Sequence, residues 1–164
     1  MSARLKKEGP SPRVVTAVVF SVALAGAAAA RPPSLEGKWR LNLAESEMLP
    51  GEVSPTELVM TITEDDAKGF RWTVTAKMRG AQGGTIGFAG AIDGRSYPVQ
   101  GRPGSTSSFS WTQGGALKQV SESQGGVSVE TCSISPDAKR MMCDVRQTDS
   151  TGRAASYAEV FDRL

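Results

Sequence analysis

Several stretches of the chain alternate strictly between apolar and polar side chains. In "FRWTVTAKM", Phe70, Trp72, Val74, Ala76 and Met78 share one parity, and Arg71, Thr73, Thr75 and Lys77 share the other. A period of two places these sets on opposite faces of a strand, one packed and one wet. "ELVMTITE" repeats the pattern with Leu58, Met60 and Ile62, and "SFSWT" repeats it with Phe109 and Trp111. Turn pairs recur between such runs: Gly83-Gly84, Asp93-Gly94, Pro103-Gly104, Gly114-Gly115, Gly125-Gly126, Pro136-Asp137 and Thr151-Gly152. Their spacing, mostly about 10 to 12 residues, is the rhythm of short strands joined by tight turns. No stretch after residue 30 carries the 3.6-residue stripe of an amphipathic helix. The pattern predicts an all-β fold, an antiparallel meander of about 8–10 strands closed into a barrel that leaves no exposed edge. A β-sandwich is the alternative, and the lack of long crossover connections favours the barrel.

The first 30 residues break the pattern. Arg4, Lys6, Lys7 and Arg13 precede a run from Val14 to Ala30 that is apolar or small apart from Thr16 and Ser21. It ends in "AGAAAA" and is followed by "RPP", which is hostile to a continuing helix. This is the pattern of a secretory signal peptide over 1–30, with a single domain over 31–164. The competing reading is a retained anchor, since the run approaches the roughly 18 residues of a spanning helix. Cleavage would leave a periplasmic or secreted bacterial protein with no membrane association. It would also leave 15 basic and 16 acidic residues, so the excess of positive charge belongs to the leader. With no block of Lys or Arg in 31–164, nucleic acid is excluded as a partner.

Cys132 and Cys143 lie on either side of "SPDAK". Partners across an antiparallel hairpin have a constant index sum. If Ser135 pairs with Arg140, Ile134 faces Met141 and Cys132 faces Cys143. Facing positions on adjacent strands are close enough for a disulfide, and an oxidising compartment favours it. A three-residue loop would instead slip the cysteines out of register and leave two buried thiols.

Catalytic chemistry is sparse. The chain has no histidine, which removes Ser-His and Cys-His nucleophiles and every His-containing metal or haem site. Glu64, Asp65 and Asp66, and likewise Asp144 and Asp149, read as solvated turn and strand-end carboxylates. "GGTIGFAG" lacks the Lys-Ser/Thr and the helix of a phosphate-binding loop, and Gly87 and Gly90 suit a sharply coiled strand. The chain is therefore not expected to be an enzyme, to hold a metal or to carry a cofactor. Trp72, Phe88, Tyr97, Phe109 and Trp111 are the candidate interior residues. They either fill the core or line a cavity for one small ligand.

Several motifs resemble one family. "GKWRLNLAES", with Gly37, Trp39, Leu41, Asn42 and Ser46, is similar to the Gly-x-Trp opening of the calycin superfamily. The wider set is similar to small, uncharacterised exported bacterial proteins with a lipocalin-like barrel. That set comprises Asp93, Gly94, Tyr97, Pro98, Val99, Gly101 and Pro103, then Ser135-Pro136-Asp137, Thr148-Asp149, Gly152 and Val160-Phe161-Asp162-Arg163. One departure is Ala138, where the pattern prefers glycine, so a different turn type is expected there. The resemblance implies that Trp39 closes the floor of the barrel beneath Arg163, and that a small apolar molecule binds at the other end. Glu159 and Phe161 stand where fatty-acid-binding proteins carry an arginine and a tyrosine, which implies a neutral or cationic ligand. The resemblance leaves two alternatives open. One is a protein-binding module, such as a periplasmic protease inhibitor using "RPPSLEG" as an insertion arm. The other is an accessory protein of the cell envelope.

Overall fold

A computed structural model describes residues 34–47, 54–65 and 69–164, so the leader reading over 1–30 lies outside the described residues. Ten strands are present: β1 Gly37–Leu41, β2 Pro55–Asp65, β3 Phe70–Met78, β4 Ala81–Gly90 and β5 Ser96–Pro98, then β6 Thr106–Trp111, β7 Leu117–Ser123, β8 Gly126–Ile134, β9 Arg140–Asp149 and β10 Ala154–Arg163. They form one antiparallel sheet in the order β4-β3-β2-β1-β10-β9-β8-β7-β6-β5, which is a meander closed through β1 and β10. The two ends of the sheet meet at one bridge, where Gly87 and Gln100 exchange backbone hydrogen bonds of 2.8 and 3.0 Å. The result is a nearly closed barrel, and a single sheet rules out the sandwich. Among the described residues there is no helix, including Asn42–Glu47 after β1.

The alternation in β3 has the expected outcome. Phe70 and Trp72 are buried, and Val74, Ala76 and Met78 keep their parity, half-buried toward the interior. One end of the barrel is filled by a core of Leu35, Trp39, Leu41, Ile62, Phe70, Phe88, Phe109, Met141 and Phe161. Phe109 packs against Phe70 and Phe88 with ring centroids 4.7 Å apart in each case, and Trp72 stacks on Phe88 at 6.0 Å. Tilted and offset geometries of this kind suit the ring quadrupoles. Gly90 belongs to this packing. A Cβ there would lie 2.7 Å from Phe88 Cζ and 2.8 Å from the Tyr97 ring.

Cys132 and Cys143 face one another in the β8–β9 register and are joined by a disulfide. The turn between them is the four-residue one. Ser135 N–H donates to the Arg140 carbonyl at 2.9 Å, and Asp137 caps Ser135 Oγ and Lys139 N–H. The expected change of turn type is corrected here. Ala138 adopts the left-handed conformation, with φ of 56°, that a glycine would take. An L-residue pays for that conformation with a clash of Cβ against the backbone, of the order of 1–2 kcal/mol. Ala138→Gly is therefore expected to stabilise the protein by about 0.5–1 kcal/mol, the greater entropy of the unfolded chain cancelling part of the gain. Urea unfolding with the disulfide intact measures it, and a loss of stability would contradict the account of the turn.

Candidate functional site

The Gly-x-Trp end of the barrel is sealed. Trp39 is fully buried, and its Nε1–H donates to the Leu35 carbonyl at 2.8 Å. Arg163, its β10 partner in register, lies over the indole at 4.3 Å from guanidinium carbon to ring centroid. Stacking on the indole face is a favourable place for a cation. The same guanidinium donates to the carbonyls of Glu36 and Ser34, and Asp65 accepts from Leu35 N–H and Ser34 Oγ. Gly37, with φ of 134°, passes beside Arg163. These contacts correct the picture of a free N-terminal arm. From Ser34 onward the segment is part of the floor, with Leu35 buried in it. Asp65 pins this segment and Glu64 pairs with Arg71, while Asp66 lies outside the described residues.

The other end is hollow. A cavity of about 390 Å³ lies inside the barrel, and its two sides differ in chemistry. Leu58 and Met60 of β2, Trp72 and Val74 of β3 and Ile86 of β4 make an apolar wall. The facing wall comes from β6 to β10 and presents Ser107, Gln119, Ser121, Glu130, Gln147, Tyr157 and Glu159. Part of this wall is satisfied internally. Ser107 and Ser121 hydroxyls share a 2.8 Å hydrogen bond, and the Gln119 amide donates to Ser121 at 2.7 Å and to Ser107 at 3.4 Å.

The two glutamates are different. Burial, reinforced by the like charge of Glu159, pushes the Glu130 carboxyl up to about 8. Burial also raises Glu159 above the ordinary carboxylate range. Desolvation disfavours a charged carboxylate, so both groups are driven toward the protonated form. Glu130 Oε1 lies 3.2 Å from Cys132 Sγ, but a disulfide sulfur has no hydrogen to donate. The carboxylate and both sulfurs lie within 4.8 Å of one another, yet bonded sulfurs lack the thiolate charge a metal would take.

The aromatic candidates separate by depth. Trp72 lines the cavity. Phe88 and Phe109 lie within the core, outside the lining. Tyr97 packs edge-on against Phe88, and its hydroxyl donates to Asp93 at 3.0 Å; the Arg95 N–H, and after it this hydroxyl, holds Asp93 below the usual carboxylate range. Trp111 keeps the inward parity of Ser107 and Phe109 but sits at the end of β6, 39% exposed and away from the cavity. The lining residues that sequence reasoning missed are mainly Gln119, Glu130, Gln147 and Tyr157. The signal for Glu130 was available, because it sits two residues before Cys132 and therefore on the same face.

The nearly closed antiparallel barrel is a fold shared with solved structures of dissimilar sequence. Wild-type fluorescent protein UnaG superposes with a TM-score of 0.52 at 12% identity, covering 79% of this chain and 97% of that one. The S-type phycobiliprotein lyase CPES from Guillardia theta superposes with a TM-score of 0.50 at 11% identity, covering 79% of this chain and 88% of that one. At such identities the likeness is one of fold. No protein-family model matches the chain, and no curated protein matches its sequence.

Proposed function

We propose that the protein is an exported binding protein, without catalytic activity, that holds one small and largely apolar molecule, neutral or cationic, inside the barrel. The observation that carries this reading is the cavity with its two unlike walls. Its volume of about 390 Å³ falls in the usual range for small-molecule sites, which are mostly apolar with a few polar groups to fix orientation. Three acidic side chains in the lining, Glu122, Glu130 and Glu159, disfavour an anionic ligand. Export is supported by the leader pattern over 1–30 and by the disulfide, which persists in oxidising compartments.

Native mass spectrometry tests the binding. Protein purified from its own host should carry a co-purifying small molecule. Val74→Trp, which fills the cavity from its apolar wall, should lose that molecule while keeping the fold. Ligand-free wild-type protein, or a bound species that Val74→Trp leaves in place, would overturn the reading.

A further inference from the structure

We propose that the cavity takes an amphipathic amine, its ammonium group held by Glu130 and Glu159 and its apolar body lying on Leu58, Met60, Val74 and Ile86. This rests on the cavity being a ligand site, and it names the chemical class of the ligand. Glu130 on β8 and Glu159 on β10 reach the same cavity from either side of β9. Among the described residues neither makes an ion pair. Among the described residues Arg102 is the sole cationic side chain of the lining, and it sits in an exposed turn between β5 and β6.

The groups that share the polar wall with the two glutamates do not neutralise them. Gln119 directs its amide N–H groups to Ser107 and Ser121, the disulfide sulfurs have no protons, Gln147 and Tyr157 are not cationic side chains, and Glu122 adds a further acidic one. The wall opposite is apolar. Buried carboxylates without a cation are costly, and each destabilises the empty barrel. A ligand that supplies the missing positive charge converts that liability into affinity and selectivity.

The charge balance follows directly. At neutral pH Glu130 holds a proton in the empty cavity, because burial keeps its carboxyl near 8. As the ammonium enters, that proton leaves Glu130 for solvent, so one positive charge arrives as one departs. Binding should therefore release protons, and a neutral ligand should release none.

Three probes of one chain length separate the possibilities: decylammonium, decanol and decanoate, titrated calorimetrically into the intact protein at pH 7 in two buffers of different ionisation enthalpy. Decylammonium is expected to bind at least tenfold more tightly than decanol and with proton release, and decanoate most weakly. Glu130→Gln with Glu159→Gln should abolish the amine preference and the proton release, so that decylammonium and decanol bind with similar affinity. Glu159→Gln alone should reduce the preference, and it serves if the double variant fails to fold. Equal affinity for decylammonium and decanol, or a preference that survives both substitutions, overturns the amine assignment while leaving the cavity as a ligand site. If none of the probes binds and the host-purified protein is also empty, the binding function itself falls, and the amine assignment with it.

Discussion

Trp39→Ala is expected to destabilise the barrel by about 3–5 kcal/mol, the range for removing a large buried aromatic side chain. Trp39 is fully buried and holds the floor in three ways. It packs within the core, it donates to the Leu35 carbonyl, and it lies beneath Arg163. Its loss leaves a cavity, an unpaired carbonyl and a guanidinium whose Nε already lacks a partner among the described residues. Single domains are stable by roughly 5–15 kcal/mol, so this one change removes a large share. Urea unfolding with the disulfide intact measures it. Because Trp39 is not part of the cavity lining, ligand affinity of the folded fraction should be unchanged. A loss of less than 1 kcal/mol by about the same measurement would show that the floor is not closed by this residue.

The second large effect depends on pH. Glu130 is raised from 4.5 to about 8 in the folded protein, first by burial and then by the charge of Glu159. Below pH 4.5 the group is protonated in both folded and unfolded chains, and its protonated form carries no penalty. Between pH 4.5 and 8 the unfolded chain ionises while the folded one holds its proton, so stability falls through that window and levels off above it. Burial raises Glu159 in the same direction, which adds to the slope. Glu130→Gln should flatten most of this dependence and make the protein more stable at pH 8 by roughly 2–4 kcal/mol, at 1.4 kcal/mol for each pH unit of displacement after allowance for partial exposure. Urea midpoints at pH 5 and pH 8 for both proteins provide the check. A wild-type midpoint that does not fall over this range would contradict the burial of an unpaired carboxyl.

Much of the architecture was legible in the sequence because it is written in period-two patterns. β3 runs from Phe70 to Met78, the stretch whose alternation was cleanest. The cysteine register followed from counting across one turn, and Cys132 does face Cys143. The polar wall was not legible, because there the rule of apolar-in, polar-out inverts. In β8 the inward parity carries Ser128, Glu130 and Cys132, while Val127, which also borders the cavity, is exposed. β7 does the same, with Gln119 and Ser121 inward and Val120 outward of them. Hydrophobic patterning identifies a face by what the core needs, and a face that borders a cavity does not obey that need. The depth of each aromatic was also hidden. Phe88, Phe109 and Trp72 share an interior, but only the stagger of ten strands decides that Trp72 reaches the cavity and the two phenylalanines do not. Ala138 departs from the sequence expectation for a different reason. The turn is set by Ser135, Asp137 and Arg140, and their hydrogen bonds hold alanine in a conformation it does not prefer.

The central claim is that the hollow end of the barrel holds a small molecule between an apolar wall and a carboxylate-bearing one. The most direct measurement is a crystal structure of protein purified from its own host, with difference density calculated in the cavity. The account predicts continuous density for one molecule, its apolar part against Leu58, Met60, Val74 and Ile86 and a polar group within hydrogen-bond distance of Glu130 or Glu159. A cavity filled by ordered water alone, or closed by repacked side chains, would contradict it.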